Sequence, residues 1–271
     1  SITGGGKMKK ISKTIENYES NSKDVKFLPK SMIRLKILEN LYESPMNMKD
    51  INQETKFNYS AISNNMHILE LGGYIYQENN KYFLSNSMRV IVGNILQLDK
   101  LMCLLENISP ICLDHAVQAL PLDSINAFHC LSEVSLIESD GMNVYKTYDI
   151  IKNSISKSKC GYAILPFSYD EFNDSFNKLL SKNKKVHIIS PRNIKEFLIK
   201  SFNVSDDNLK IDFLGIEEIN SILLFCSDKK MILGFFKDDG TFDQNRLLVS
   251  TQVSCIKWAN DLFNHFNEEN I

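Results

Sequence analysis

The sequence predicts an α+β region at the N-terminus, a helical connector, and a C-terminal α/β region with a mainly parallel sheet. Helix-like spacings of apolar residues fill positions 29–71, and a short hairpin pattern follows them. From position 87 the apolar residues recur with a heptad spacing. After position 160, short apolar runs alternate with amphipathic segments, which is typical of strands joined by helices.

The composition is that of a globular protein, with 43% hydrophobic and 24% charged residues among 271. The longest apolar runs, such as Ile222–Cys226, are far shorter than the roughly 18 residues that a membrane helix needs. We expect no signal peptide, no membrane partner and a cytoplasmic location. Six scattered cysteines without a CxxC pair predict reduced thiols and no metal site. Residues 1–7 (SITGGGK) have the composition of a cloning remnant, so Met8 is the expected natural start.

The net charge of −2 is distributed unevenly along the chain. Residues 1–108 contain 14 basic and 11 acidic residues, whereas residues 109–271 contain 17 basic and 22 acidic residues. A mildly basic front half and an acidic back half suit a nucleic-acid-binding head attached to a body that stays away from nucleic acid.

Local signals in the first part of the chain predict three helices in close succession. Ile33, Ile37, Leu38 and Leu41 share one face of a helix between Pro29 and Tyr42. The next helix is short, and it begins where Asn47 and Asp50 can form a capping box. Asn58 can cap a third helix, which buries Ile62, Met66 and Leu69 and ends at Gly72-Gly73.

Two β-rich runs follow these helices, Tyr74-Ile75-Tyr76 and Lys81-Tyr82-Phe83-Leu84, around an asparagine-containing turn. Three helices followed by a hairpin is the element order of a winged helix-turn-helix, which we assign to residues 25–86. Such domains place the third helix in the DNA major groove. The predicted contacts to double-stranded DNA come from polar residues of that helix and from lysines beside it: Ser60, Ala61, Ser63, Asn64, His67, Lys56 and Lys81.

Each predicted contact has a chemical basis. Asn64 can form two hydrogen bonds with adenine, the hydroxyls of Ser60 and Ser63 suit phosphates or bases, and the Ala61 methyl group suits thymine. The helix itself carries no Lys or Arg, so Lys36, Arg34 and the lysine-rich start of the chain are also expected to help neutralise phosphates. A winged helix can instead serve purely for protein interaction, and that alternative remains open.

Residues 87–132 are predicted to form a helical connector. An apolar stripe with alternating spacings of four and three gives a candidate dimerisation seam, consisting of Ile91, Ile95, Leu98, Met102 and Leu105. A homodimer would present two recognition helices to half-sites about 34 Å apart. The same stripe can instead pack against its own chain.

Residues 133–271 are predicted to form an α/β sensor domain. Strands are expected at Tyr162–Leu165, Val186–Ile189 and Leu209–Leu214, with helices at Tyr169–Leu180 and from Pro191 to Phe202. A hairpin and a final helix from about Thr251 to Phe266 complete the domain. A small-molecule effector would bind at the carboxyl ends of the strands, so we predict a ligand site formed by Phe167, Ser168, Ser190 and Arg192. The charge of Arg192 favours an anionic effector.

The C-terminal segments resemble a known family. FFKDDGTFDQNRLLVS and IKWANDLFNHF, at residues 235–250 and 256–266, are similar to the closing segment of the methanogenesis regulatory (FilR-type) family of archaeal winged-helix regulators. DHAVQALP (114–121) and LSEVSLIES (131–139) also resemble that family. Phe242 replaces its usual tyrosine and Ala259 its usual glycine. The resemblance implies a DNA-binding transcription regulator of a methanogen whose C-terminal domain senses a signal.

An enzyme is a further alternative, although we predict neither catalytic activity nor a cofactor. The α/β region is similar to half of a phospholipase D-like domain, but His187 is followed by Ile-Ile and not by the H-x-K pattern. GxSxG and P-loop motifs do not occur. Asp114 and His115 could form an acid/base pair, but adjacent helical residues point about 100° apart, which favours a structural role.

Overall fold

The computed structural model describes residues 27–28, 30–215 and 222–268. The chain divides into two compact units, Ser1–Asp99 and Lys100–Ile271. The predicted cloning remnant, the lysine-rich start and the predicted first-turn role of Pro29 lie outside the described residues.

The first unit contains three helices and a hairpin in the predicted order. Its elements are α1 (Met32–Glu43), α2 (Met48–Thr55), α3 (Tyr59–Leu71), β1 (Ile75–Glu78) and β2 (Lys81–Leu84), followed by the start of α4 (Asn86–Asn107). The two strands are antiparallel, with Tyr76 opposite Phe83. Met46, between α1 and α2, adds a bridge to Tyr82 through two backbone hydrogen bonds, so a third short stretch of backbone extends the hairpin.

Local chemistry explains where these elements begin and end. Asn47 and Asp50 form the predicted capping box, and the Asn58 side chain accepts a hydrogen bond from the Ala61 amide at the start of α3. Asn79 and Asn80 both have positive φ, which a two-residue hairpin turn requires. Gly73, with φ +70°, provides the predicted left-handed residue after α3.

One apolar core holds the first unit together. The amphipathic faces of all three helices, the hairpin and the first turns of α4 contribute to it. Its buried residues are Leu28, Ile37, Leu38, Leu41, Ile51, Ile62, Met66, Leu69, Ile75, Leu84, Met88 and Val92. The side of α3 that enters this core is the side predicted from sequence, so the opposite side faces outward.

The second unit begins with short helical pieces. After α4 come α5 (Ser109–Cys112), a 3₁₀ turn at Val117–Ala119, α6 (Leu122–Asn126) and a second 3₁₀ turn at Phe128–Leu131. The predicted helical connector is therefore not one continuous helix. The chain changes to 3₁₀ geometry after Ala127, and Phe128 and Leu131 become buried, with the Phe128 ring packed edge-on against Trp258.

A seven-stranded sheet forms the body of the second unit. Its strands are β3 (Ser135–Glu138), β4 (Cys160–Ile164), β5 (Lys185–Pro191), β6 (Leu209–Leu214), β7 (Ile222–Cys226), β8 (Met231–Phe235) and β9 (Arg246–Ser250). Their spatial order is β3-β9-β8-β7-β4-β5-β6. The prediction of a mainly parallel sheet holds for β4, β5 and β6 and is wrong for the rest. The other four pairings are antiparallel, because β7 and β8 form a hairpin and because β9 and β3 pair beyond it.

Helices cover both faces of this sheet. One face packs against α7 (Lys146–Lys157), α8 (Asp170–Leu180) and α9 (Lys195–Ser201), and the other against α10 (Val253–Glu268) and buried residues from 104 to 134. Side chains that alternate along β7 divide between the two cores, as the period of a strand requires. The helix predicted to begin at Pro191 begins instead at Lys195, because β5 continues to Pro191 and a 3₁₀ turn follows.

Candidate nucleic-acid interface and a buried ionic cluster

Helix α3 presents a polar face to the outside. Ser60, Ser63, Asn64 and His67 are exposed, and Ala61 is half-buried. Within the described part of the chain, the side chains of these four polar residues form no hydrogen bonds, so their donors and acceptors are free. The helix is held from behind by Ile62, Met66 and Leu69, all buried. The segment thus combines a fixed backbone with unused hydrogen-bonding groups on its outer side.

Two of the predicted cations flank this face. Lys56 ends α2 in the left-handed conformation two residues before Asn58, and Lys81 begins β2 directly after the hairpin turn; both are exposed. Neither forms an ion pair within the described residues. Their positions on either side of α3 in sequence agree with a role in contacting phosphates.

The other two predicted cations are already occupied. The Lys36 ammonium group pairs with Glu39 at 2.5 Å. The Arg34 guanidinium stacks on the Phe27 ring and donates a hydrogen bond to the Phe27 carbonyl oxygen, and burial lowers its pKa. Both side chains therefore have partners within the first unit, and their role in neutralising phosphates remains a prediction.

The connector stripe divides along α4. Ile91 and Ile95 are half-buried and pack against the core of the first unit. Leu98 and Met102 remain exposed, with 56% and 60% of their surface accessible, and Leu105 is half-buried. The fully buried positions of this helix are Met88 and Val92 near its start and Leu104 near its end. Part of the predicted seam thus serves the chain's own core, and part stays open.

The predicted effector residues have different surroundings. Ser190 is fully buried, and its hydroxyl donates a hydrogen bond to the Leu165 carbonyl oxygen at 2.8 Å. The Phe167 ring packs on Phe242, and the Ser168 hydroxyl accepts a hydrogen bond from the Asn173 amide. Arg192 alone among the four predicted residues is exposed, with its Nε directed to the Phe213 carbonyl oxygen.

A buried ionic pair at one edge of the sheet was not predicted from sequence. His115 and Asp243 are 4% and 2% exposed, and His115 Nε2 lies 2.8 Å from Asp243 Oδ2. On its other side, His115 Nδ1 lies 2.7 Å from Asp114 Oδ1 and 2.9 Å from the Ile111 carbonyl oxygen. Both ring nitrogens thus face oxygen atoms. Asp114 and His115, which were expected to point apart, are therefore in contact, because the chain is not helical at these two residues; their structural role remains a prediction.

Arg246 extends this pair into a surface network. Its guanidinium contacts Asp243 at 3.3 Å and Glu138 at 2.8 Å. Burial by itself raises the pKa of Asp243, but hydrogen bonds from the Asn245 amide and His115, together with the charge of Arg246, outweigh it and lower that pKa. An open cavity of about 430 Å³ adjoins the network, and its lining includes Lys237.

The network joins two sequence segments that were singled out separately. The Ala116 amide donates to the Phe236 carbonyl oxygen at 3.0 Å, and the Asp238 amide donates to the Asp114 carbonyl oxygen at 2.8 Å. DHAVQALP therefore lies beside the KDDGTFD loop. Two features of the sequence could have pointed to this contact. Both segments resemble the same family, and each contains an acidic residue near an aromatic residue or a histidine.

Metal and membrane sites were searched for in the described residues. Residues 27–28, 30–215 and 222–268 contain no group of three or more His, Cys, Asp or Glu side chains arranged to hold a metal ion. Within the same ranges, every helix is too short or too polar to cross a membrane.

Comparison with solved structures gives distant similarities. The archaeal chromatin protein TrmBL2, whose structure is described as showing a novel mode of DNA binding, is similar at 12% identity and a TM-score of 0.39, over 88% of this chain and 93% of that one. The phospholipase D family member Nuc from Salmonella typhimurium is similar at 12% identity and a TM-score of 0.38, over 50% of this chain and 92% of that one. At such TM-scores, neither similarity bears on function.

Comparison of sequences is more informative. The Methanogenesis regulatory protein FilR1 of Methanothrix harundinacea (strain 6Ac) is 20% identical over 162 residues, which are 57% of this chain and 36% of that protein. The chain thus matches little more than a third of its relative's length. Residues 22–106 match the N-terminal domain of the methanogenesis regulatory protein FilR1, and residues 144–269 match its middle domain. The chain belongs to the FilR1 family of methanogenesis regulatory proteins and carries these two domains of it.

Proposed function

We propose that this protein is a transcription regulator that binds operator DNA through its N-terminal winged helix-turn-helix. The observation that carries the proposal is the outer face of α3, where Ser60, Ser63, Asn64 and His67 are exposed and have unused hydrogen-bonding groups. A helix of this size fits the DNA major groove, where base edges are accessible. Membership in a family of regulatory proteins supports the same role.

The roles of the individual residues follow from their chemistry. Asn64 donates to and accepts from one adenine, Ser60 and Ser63 contact phosphates or bases, and the Ala61 methyl group packs on a thymine. Lys56 and Lys81 contact phosphates on either side of the recognition helix. Because α3 itself carries no Lys or Arg, a single winged helix makes few ionic contacts, and its affinity for DNA is modest.

A homodimer would compensate for this modest affinity. The exposed Leu98 and Met102 on α4 would pack against a second copy and place two α3 helices on half-sites about 34 Å apart. Two linked heads bind with a high effective concentration for the second half-site. Such a dimer would bind a pseudo-palindromic operator. The proposed location of this interaction is the cytoplasm.

The second unit would sense a signal and transmit it through α4. Met88 and Val92 of this helix belong to the core of the first unit, and Leu104 belongs to the core of the second. A ligand that changes the packing around Leu104 would therefore act on a helix that also contributes to the core of the first unit. The proposed consequence is a change in the spacing of the two α3 helices.

A titration of labelled DNA from the protein's own upstream region tests the proposal. Fluorescence anisotropy should show binding that weakens as salt concentration rises, because bound Lys side chains release counterions from DNA. Asn64→Ala should weaken specific binding by roughly tenfold or more, since loss of a bidentate contact costs about 1–3 kcal/mol. Asn264→Ala, an exposed helical asparagine in the second unit, is the matched control and should bind as the unchanged protein does.

The alternatives give different results in the same experiment. A protein-interaction adaptor should show neither salt-dependent binding to this DNA nor an effect of Asn64→Ala. Equal affinity for the upstream DNA and for an unrelated duplex, unaffected by Asn64→Ala, would reject base recognition by α3.

A further inference from the structure

A basic cavity lies at the end of the central strands that is opposite to the predicted effector site. It has a volume of about 290 Å³ and lies between the end of α7, the turn that joins β7 to β8, and Thr251. Lys159 beside it precedes β4, and its amide donates to Asp228 in that turn. The cavity is thus at the amino ends of the parallel strands, whereas Ser168 and Arg192 follow their carboxyl ends.

The charge of the cavity is unbalanced. Lys157, Lys229 and Lys230 line it, and no carboxylate does. None of the three lysines forms an ion pair within the described residues. The nearest acidic side chain in sequence, Asp228, is exposed and directs Oδ1 to the Lys159 amide at 3.4 Å. Residues 109–271 have an excess of acidic residues, so this concentration of uncompensated lysines runs against the charge of its domain.

The uncompensated positive charge of the cavity destabilises the charged form of Lys230. The residue is half-buried, and burial together with the neighbouring charge of Lys157 lowers the pKa of its ammonium group. A positive charge that is partly removed from water and lies near another positive charge is destabilised unless an anion accompanies it. An anion in the cavity would stabilise both lysines at once.

The other lining groups suit an oxyanion. The side chains of Asn153 and Thr251 are exposed and form no hydrogen bonds within the described residues, so their N–H and O–H groups are free to donate. With three ammonium groups, they provide a set of donors without a competing acceptor carboxylate. Lysine is a common ligand of phosphate groups as a compact point charge. The cavity volume admits a small phosphorylated molecule but not a large cofactor.

We propose that this cavity binds a small multivalent oxyanion, a metabolite with one or more phosphate groups, through Lys157, Lys229 and Lys230. This proposal names a ligand class for the sensing role described above and rests on that role only for its regulatory consequence. The binding itself stands on the cavity and its lysines. A phosphate of the DNA backbone has the same chemistry, and the experiment separates the two sources.

Isothermal titration of the full chain with inorganic pyrophosphate measures binding directly. We expect one saturable site, and Lys157→Gln with Lys230→Gln should weaken it by at least about tenfold, because two charge-assisted contacts are removed. Lys200→Gln, at an exposed lysine on α9 without an ion pair, is the matched control and should leave binding unchanged. No saturable binding at millimolar pyrophosphate, or equal binding by the double variant, would overturn the proposal.

A second readout uses the unchanged protein and so does not depend on how the variants fold. Pyrophosphate should slow the methylation of Lys157, Lys229 and Lys230 by formaldehyde and borohydride and leave that of Lys200 unchanged. Protection by a DNA duplex and not by pyrophosphate would reject the metabolite in favour of the DNA backbone. If Asn64→Ala weakens DNA binding and the lysine variants do not, the anion site and the DNA-binding face are distinct. Failure of one proposal then leaves the other intact.

Discussion

The imidazole of His115 and the carboxylate of Asp243 lie 2.8 Å apart, although 128 residues separate them in the chain. Both side chains are almost completely buried. The contact ties the segment between α5 and the first 3₁₀ turn to the loop between β8 and β9, and Arg246 connects the pair to Glu138 on β3. The two sequence segments that most resemble the FilR-type family therefore meet at one ionic cluster.

Removing the carboxylate of this pair should destabilise the second unit. Asp243→Ala leaves a buried imidazole without its partner, and we expect the free energy of unfolding to fall by about 3 kcal/mol. Chemical denaturation followed by circular dichroism measures the change. Asp238→Ala, at an exposed aspartate of the same loop, should change stability by less than about 0.5 kcal/mol. If the two substitutions lower the free energy of unfolding equally, the buried pair contributes no more to stability than an exposed aspartate does.

The same pair should make stability depend on acid pH. The pKa of Asp243 is lower in the folded protein than in an unfolded chain, so the unfolded state takes up its proton first as pH falls. The stabilisation is complete above the ordinary carboxyl pKa of about 4 and is lost as pH falls through the lowered value. The difference in unfolding free energy between the intact protein and Asp243→Asn should therefore shrink below about pH 4. A difference that stays constant from neutral pH to pH 3 would contradict this.

A close approach beside the same loop predicts the effect of one methyl group. A Cβ at Gly234 would lie 2.9 Å from the Phe242 ring and 3.0 Å from Leu247. Gly234→Ala should therefore cost about 1–3 kcal/mol of stability through overpacking. At Gly141 nothing lies within 4 Å of such a Cβ, so Gly141→Ala is the control and should be nearly neutral. Thermal unfolding compares the two, and a neutral Gly234→Ala would mean that the ring moves aside without cost.

The exposed part of the connector stripe predicts the oligomeric state. Leu98→Glu with Met102→Glu should convert a dimer into a monomer, because two buried apolar contacts contribute about 3–6 kcal/mol together. Light scattering after gel filtration gives the mass directly. Leu113→Glu changes an even more exposed leucine outside α4 and should leave the mass unchanged. If the protein without substitutions is already a monomer, the proposed dimer is wrong.

Signals confined to neighbouring residues were sufficient to predict the first unit. Asn47 with Asp50, Asn58 at the start of α3, and Asn79-Asn80 each act within a few residues, and the structure has a cap or turn at each of them. The polar outer face of α3 followed from the same helical periodicity that identified Ile62 as buried.

The second unit depended on contacts that no local pattern contains. Strand β3 has only four residues, and β9 pairs with it across more than 100 positions, so the pairing of β3 with β9 could not be predicted. Helix α7 was not predicted, although its amphipathic face buries Ile151 and Ile155. The His115–Asp243 pair and the lysine cavity likewise form only when distant segments come together.

The central claim is that the polar face of α3 reads base edges, and genome-wide mapping of bound sites for the intact protein and for Asn64→Ala tests it most directly. We expect the intact protein to yield a pseudo-palindromic motif containing an adenine in each half-site. Asn64→Ala should relax the preference at that one position while the remaining positions and nonspecific binding persist. An identical motif from both proteins, or no enriched sites from the intact one, would contradict the claim.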